Sequence, residues 1–318
     1  MTRAWATIDL PIGGEGADVR EARIRCVGRT WSSRQRVHAG DVAWSAADPA
    51  RETVRRLWTV ADRVVAWAYA DGDATRRHVD LHVSPEAPSG LVQDVVAWCH
   101  ERSAVVEVPV LDREQHLLSA LRTVSAEEDT AAPWFVHQVR ALRGPLPQPL
   151  LPGGYHVRAV HPGEEEARVV VHRRSWAPTR LQEMVGGPVV DTGAASPFGR
   201  DAYERVTATS LYRRDLDLVV EAPDGQLVAS ALGWFDPMSR SGLIEPVGTD
   251  PSYAVRGLGR AACAALLISL ARAGATQAVV CPRGDDGYPV PRHLYATLGM
   301  TPVARTRTYR VGAVSGAA

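Results

Sequence analysis

Residues Leu243–Ala273, LIEPVGTDPSYAVRGLGRAACAALLISLARA, decide how the chain is read. Leu243–Thr249 is apolar and suited to a strand, with Pro246 inside it, and Asp250-Pro251-Ser252 breaks that strand. Arg256-Gly257-Leu258-Gly259-Arg260 is a basic, glycine-rich turn, and Ala261–Ala273 has the alanine and leucine content of a buried helix. The physics of such a strand, turn and helix is anion binding. Unpaired N–H groups at a helix start point at one spot, and the helix dipole favours negative charge there. The glycines let a phosphate approach the backbone, while the arginines add charge and fork-shaped donors.

Two devices use glycines at this spacing. Gly257-Leu258-Gly259-Arg260-Ala261-Ala262 fits the dinucleotide fingerprint G-x-G-x-x-A. That fingerprint belongs in the tight first turn of a βαβ unit, near the start of a doubly wound domain. Here a loop separates Thr249 from Gly257, and only one further strand and helix follow, so the context is wrong for a nicotinamide or flavin cofactor. The stretch instead resembles motif A of the GNAT superfamily of acyl-CoA-dependent N-acetyltransferases. The motif's core (Gln or Arg, two residues, Gly, one residue, then Gly or Ala) is matched by Ala254-Val255-Arg256-Gly257-Leu258-Gly259, with Ala254 in the place of Gln or Arg. Downstream, Thr276–Cys281 reads as a short strand. The following helix ends Leu294-Tyr295-Ala296-Thr297-Leu298-Gly299-Met300, which resembles the family's LYxxxGF signature with Met300 in the aromatic slot. Tyr288 and Pro291 stand where the family has Asn and Ala. The resemblance covers residues 155–311.

Composition bounds the rest. At 318 residues the chain is long enough for one large or two ordinary domains, and 45% apolar residues suffice for proper cores. A formal net charge of zero argues against bulk attraction to nucleic acid or an anionic membrane. All 36 basic residues are arginine, which codon bias explains. Cys26, Cys99, Cys263 and Cys281 are scattered without metal-ligand spacing, as expected of buried thiols in a reducing cytosol, and no metal site is expected. The N-terminus lacks the apolar core of a signal peptide, and the run Ala261–Ala271 is far too short to span a bilayer. A cytoplasmic protein is the expectation.

Along the chain, residues 1–20 read as irregular and Arg23–Val27 as a strand, while the stretch up to Val54 shows no clear period. Leu57–Val60 and Val64–Ala70 read as strands around the turn Ala61-Asp62-Arg63. His78–Val83 is a strand, Gly90–His100 a helix, Val105–Val110 a strand, Arg113–Arg122 a helix and Trp134–Leu142 a strand. Residues 144–154, GPLPQPLLPGG, can be neither helix nor central strand and read as a linker. The second half continues with strand Tyr155–Val160, a helix from the acidic run Glu164–Glu166 to Ser175, and an irregular segment Trp176–Gly199. A helix over Asp201–Ala208 follows, then strands Leu216–Glu221 and Leu227–Phe235. The order strand, strand, strand, helix, strand, helix, strand occurs in both halves, with Pro85 matching Pro251. This predicts an α/β fold of two tandem GNAT-like modules, each a mostly antiparallel mixed sheet flanked by helices. Residues 1–143 form the first module, 144–154 the linker and 155–318 the second. After His82-Val83-Ser84-Pro85 the first half has Glu86 and no basic glycine loop, so it is expected to be a degenerate scaffold without coenzyme.

The resemblance implies N-acetyl transfer from acetyl-CoA to a primary amine, by direct attack in a ternary complex. The coenzyme pyrophosphate falls to Val255, Arg256, Gly257, Leu258, Gly259, Arg260 and Ala261. Proline inside a strand marks an edge or a bulge, and in the family this strand is bulged and splayed so that the coenzyme arm enters the gap. The resemblance then makes the Val247 N–H the oxyanion donor, with Gly248 and Thr249 beside the arm. Glu245, an acid in an apolar strand, is costly to bury unless paired or used. Partial burial raises its pKa toward that of a base, and the alternative is an anchor for the substrate ammonium. Tyr295 is the candidate acid for the departing thiolate. His293 falls elsewhere on that helix and reads as a surface residue. Trp176, Tyr203, Tyr212, Trp234 and Asp236 are candidate acceptor-pocket residues. A small-molecule amine is the expected partner, and the sequence leaves the oligomeric state open. Two readings stand beside this one: a non-catalytic acyl-CoA-binding or interaction module, and an acetyltransferase of protein N-termini or side chains.

Overall fold

The computed structural model describes residues 4–11, 15–48, 53–101, 104–176 and 196–312. The chain forms two compact units. Unit 1 comprises Met1–Val42, Pro49–Trp134 and Ala304–Ala318, and unit 2 comprises Ala43–Asp48 and Phe135–Val303. Each is a mixed, mostly antiparallel sheet flanked by helices.

In unit 1 the strands run in the order β1 (Ala6–Leu10), β2 (Thr53–Val60), β3 (Arg63–Gly72), β4 (Arg76–Val83), β5 (Val105–Leu111) and β13 (Thr301–Gly312). The two-residue turn Ala61-Asp62 joins β2 to β3 with both residues at positive φ (46° and 62°), the twist that suits a tight hairpin. Helices α3 (Leu91–His100) and α4 (Gln115–Thr123) cover one face. Trp58, Val79, Leu81, Val95, Trp98, Val106, Val108 and Leu121 are buried together there. The segment read as irregular contains β1, and Arg23–Val27 is no strand: it lies within α1 (Ala17–Thr30). The reason is visible in the burial. Arg23, Ile24, Cys26, Val27 and Gly28 are buried while Arg25 and Arg29 are exposed, so burial does not alternate and recurs three and four residues on, as on one side of a helix.

In unit 2 the order is β8 (His156–Ala159), β9 (Asp217–Glu221), β10 (Leu227–Asp236), β11 (Ser241–Thr249), β12 (Gln277–Val280) and β7 (Val136–Ala141). Thus the unit 2 sheet includes β7, from the first half of the sequence, and the unit 1 sheet includes β13, from the second: β7 pairs with β12 through Gln277↔Ala141 to Val280↔Gln138, and β13 pairs with β5 from Thr306↔Leu111 onward. Helix α5 (Glu165–Ser175) starts with Glu165 and Glu166 and ends with His172, Arg173 and Arg174, the charge order its dipole favours. Helix α6 spans Arg200–Thr207. Of the expected irregular segment Trp176–Gly199, residues 177–195 lie outside the described residues.

Helix α7 (Leu258–Ala273) is the spine of unit 2 and contributes Leu258, Ala262, Cys263, Ala264, Leu266, Leu267 and Leu270 to the core. It reaches the sheet because the sheet is cut away beneath it. A Cβ on Gly233 would lie 2.7 Å from Leu266 Cδ1, and one on Gly242 would lie 2.8 Å from Leu270 Cδ1. Truncating either leucine to alanine would cost about 2–5 kcal/mol, because close-packed neighbours collapse poorly into the hole. Gly274, at φ 106°, ends the helix by donating to Ala271 O and Leu270 O. Helix α8 (Val290–Thr297) follows β12 and buries Tyr295. No helix among the described residues is long and apolar enough to cross a membrane.

Candidate functional site

Strand β11 pairs with β12 in parallel for three residue pairs, Ser241↔Gln277 to Leu243↔Val279, and no further. On its other side it runs antiparallel to β10, with a break in register: Gly233 faces Ile244 and Ala231 faces Val247. Glu245 and Pro246 therefore both oppose Leu232, which is a bulge at the proline. Beyond it the strand alternates. The Asp250 N–H donates to Val228 O on β10, so Gly248 also faces β10, while Val247 and Thr249 turn their N–H and C=O groups toward the seam left by β12. No hydrogen bond among the described residues reaches those seam-facing groups.

The same seam exists in unit 1, where it is closed. Strands β4 and β5 also pair in parallel for three residue pairs, Arg76↔Val105 to His78↔Glu107, and then part. There the Ser84 N–H goes back to Val65 O on β3, which turns Leu81 and Val83 toward the gap. Leu81 O accepts from the Arg36 guanidinium, and Val83 O bonds His116 Nε2 at 3.0 Å. Arg36 is locked in turn by Asp80, and its backbone N–H by Glu114 at 3.1 Å. The splay is thus a property of both sheets and not of Pro246; unit 1 fills its edge with its own side chains.

At the far end of the unit 2 seam stands the start of α7. Asp250 caps the short turn Pro251–Tyr253 by accepting from Ser252 N at 2.9 Å, and Arg174 lies 3.6 Å from the same carboxylate. Val255 is fully exposed at φ 59°, a conformation a β-branched residue adopts only under strain of roughly 1–3 kcal/mol. Gly257 caps the helix at φ 76° with open space where a Cβ would be. The first bond back into the helix is Ala261 N–H to Gly257 O at 2.9 Å, so the N–H groups of Leu258, Gly259 and Arg260 belong to the unpaired first turn. Gly259 lets this turn sit against β11: a Cβ there would meet Thr249 Oγ1 at 2.8 Å. Arg256 leans away, donating to Tyr155 Oη at 2.8 Å and lying over the Tyr253 ring, whereas Arg260 makes no ion pair among the described residues.

The two candidate catalytic groups share a neighbourhood. Glu245 is half-buried, and its carbonyl accepts from Trp234 Nε1 at 2.7 Å. Tyr295 is buried. Burial first, then the negative charge that Cys263, Glu245, Cys281 and Tyr288 can carry, pushes its phenol well above the ordinary range. Its hydroxyl makes no hydrogen bond among the described residues. His293 is exposed on the same helix.

Four of the candidate pocket residues have structural occupations. Tyr203 and Tyr212 direct their hydroxyls to Asp217 Oδ2, whose partner oxygen takes Arg168 Nε at 2.7 Å. Trp234 is fully buried, and Asp236 ties the turn before β11 through Met238 N and Ser239 N. Trp176 is the exposed member of the five, stacked on His172. Sequence reasoning missed Ser175, which packs against Gly248, and Trp44, whose ring lies 5.2 Å from that of Phe198. Neither carries a motif; only the fold brings them there.

This arrangement, a mixed sheet splayed beside a bulge with a glycine-capped helix at the end of the gap, is a GNAT-type fold. Residues 191–300 match the Acetyltransferase (GNAT) family, which supports acyl transfer as the chemical class. Over the whole chain, the structure is similar to a GCN5-related N-acetyltransferase from Sphaerobacter thermophilus (19% identity, 96% of this chain and 95% of that one, TM-score 0.57). It is also similar to a tandem GNAT protein from the clavulanic acid biosynthesis pathway (14% identity, 96% and 98%, TM-score 0.58). A third similar structure is the Saccharomyces cerevisiae N-myristoyltransferase with bound myristoyl-CoA (12% identity, 98% and 78%, TM-score 0.52). Among curated proteins, none matches the sequence.

Proposed function

We propose that the protein is an N-acetyltransferase that moves the acetyl group of acetyl-CoA to a primary amine of a small molecule, in unit 2. The observation that carries this reading is the open seam: backbone groups of Val247 and Thr249 that face no partner among the described residues, leading to a helix start that Gly257 caps without a side-chain hydrogen bond. The residues fit the coenzyme. Val255, Arg256, Gly257, Leu258, Gly259, Arg260 and Ala261 surround a helix N-terminus suited to a pyrophosphate, and Gly257 leaves its approach clear. Val247, Gly248 and Thr249 form the strand edge on which the pantetheine amides would pair. The Val247 N–H is the donor for the oxyanion that develops on the acetyl carbonyl.

The chemistry is a substitution at that carbonyl: an N–C bond forms and the C–S bond breaks. Glu245 takes the proton that an alkylammonium, of ordinary pKa near 10.4, must lose before attack. Tyr295, kept neutral by burial, has a proton to give to the departing thiolate, and the second proton that the nitrogen sheds as the amide forms replaces it on the phenol. The test is thiol release from acetyl-CoA in the presence of a panel of amines. Amine-dependent, saturable release supports the reading. Tight coenzyme binding with no release for any amine, peptide N-termini included, would favour a non-catalytic acyl-CoA-binding module.

A further inference from the structure

One face of the unit 1 sheet, covered by α1, carries a stack of alternating rings and guanidinium groups. Arg55, Tyr69 and Asp80 lie side by side on β2, β3 and β4, as do Leu57, Trp67 and His82 one pleat repeat further along. Arg23 enters from α1 between the two β3 rings, with its Cζ 4.0 Å from the Trp67 centroid and 3.9 Å from the Tyr69 centroid. Arg55 Cζ lies 5.2 Å from the same Tyr69 ring, and His82 stacks on Trp67 at 6.3 Å. Two carboxylates serve this group, Asp80, which is held by Arg36, and Glu15. Glu15 accepts from Arg23 Nη1 at 3.0 Å and from the Tyr69 hydroxyl at 2.7 Å, and lies 3.3 Å from Arg20 Nε.

The charges do not balance. Among the described residues, Glu15 pairs with Arg20 and Arg23, and Asp80 pairs with Arg36 while also facing Arg23, which leaves Arg55 as the guanidinium without a counter-ion. Arg55 is only 4% exposed and, among the described residues, forms no ion pair and leaves Nε and Nη1 without a hydrogen-bond partner. Arg23 Nε, Trp67 Nε1 and His82 Nε2 are likewise buried and without a hydrogen-bond partner among the described residues. A guanidinium keeps its charge at any ordinary pH, so it cannot escape burial by neutralising as a lysine or carboxylate would. A buried, permanent cation with idle donors is completed by an anion. Arginine's planar donors match the oxygens of carboxylate and phosphate groups.

We propose that unit 1 binds a small oxyanion, a carboxylate or phosphate group, at Arg55, with the Tyr69 ring holding the guanidinium in place. The degenerate unit would then be a binding module and not only a scaffold. The proposal does not depend on the chemistry of unit 2.

The experiment uses the full chain, with inorganic phosphate and acetate as probes titrated against sodium chloride at matched ionic strength. The wild type is expected to show a saturable rise in thermal midpoint with one or both probes. Arg55→Met, which removes the unpaired charge, should lose that rise while remaining at least as stable as the wild type in chloride. Which probe acts separates carboxylate from phosphate ligands. Crystals soaked in selenate supply a measurement independent of the variant, with a selenium peak expected beside Arg55. Equal responses to probe and chloride, a response retained in Arg55→Met, or a selenium peak only elsewhere would each overturn the site.

Discussion

Gly248→Ala is the most informative single change in unit 2. Gly248 sits on the seam-lining half of β11, and the position a Cβ would take is 2.5 Å from Ser175 Cβ and 2.8 Å from Ser175 Oγ on α5. Side-chain carbons do not approach so closely, and a Cβ so near another Cβ cannot rotate away. Either α5 or β11 must move. Overpacking of this kind costs about 1–3 kcal/mol. For a unit of this size each kcal/mol lowers the thermal midpoint by roughly 2–4 °C, so a fall on the order of 2–12 °C is expected. If the strand yields, the Val247 N–H moves with it, and the KM for acetyl-CoA should rise. Ser175→Gly removes the opposing atoms, at the cost of the Oγ hydrogen bond to Val171 O and of a glycine in the last turn of α5. Thermal unfolding of the wild type, both single variants and the double variant forms a closed cycle. The double variant should recover most of the loss, in stability and in KM. An unchanged midpoint for Gly248→Ala, or additive losses in the double variant, would refute the packing argument.

Three further outcomes follow from the same geometry. Glu245→Gln and Tyr295→Phe should each lower turnover more than coenzyme affinity, measured by steady-state kinetics beside calorimetry; unaltered turnover in both would remove their catalytic roles. Stability should fall in acid because of two buried imidazoles. Burial, then nearby positive charge, holds His82 and His172 at about 3, below the 6.5 of the free side chain. The unfolded chain therefore binds protons first: this stability is complete above pH 6.5 and is lost as pH falls toward 3, by about 1.4 kcal/mol per pH unit for each histidine. Denaturant midpoints between pH 8 and 4 measure it, and His172→Phe should flatten the slope; an equal slope in that variant would count against the buried neutral ring. At the other end, Tyr295 has its folded pKa raised above the unfolded value. Its contribution is complete below pH 10 and is lost as pH rises beyond that, so no loss of turnover near pH 8 should trace to this phenol.

Much of unit 2 was legible because its signals are local. Pro246 marks the bulge, Gly257 the positive-φ cap and Gly274 the helix end, and each acts through the backbone at its own position. Parts of unit 1 were not legible. Arg23 is nearly fully buried on α1, and nothing adjacent in sequence announces the rings of Trp67 and Tyr69 that receive it. An arginine at a buried helical position breaks the apolar period, which is why Arg23–Val27 reads as a strand. The crossing of β7 and β13 is equally silent, since a strand's pattern says which face is buried but not which edge it joins. In the same way Trp234 and Asp236 read as pocket residues but serve the Glu245 carbonyl and the turn into β11.

The central claim is that a coenzyme docks in the unit 2 seam against the start of α7, while unit 1 has closed its own. Calorimetric titration of the full chain with acetyl-CoA, wild type beside Gly257→Glu, tests it most directly. One equivalent bound by the wild type and none by the variant is the expected result. Unchanged affinity in Gly257→Glu, or two equivalents in the wild type, would contradict it.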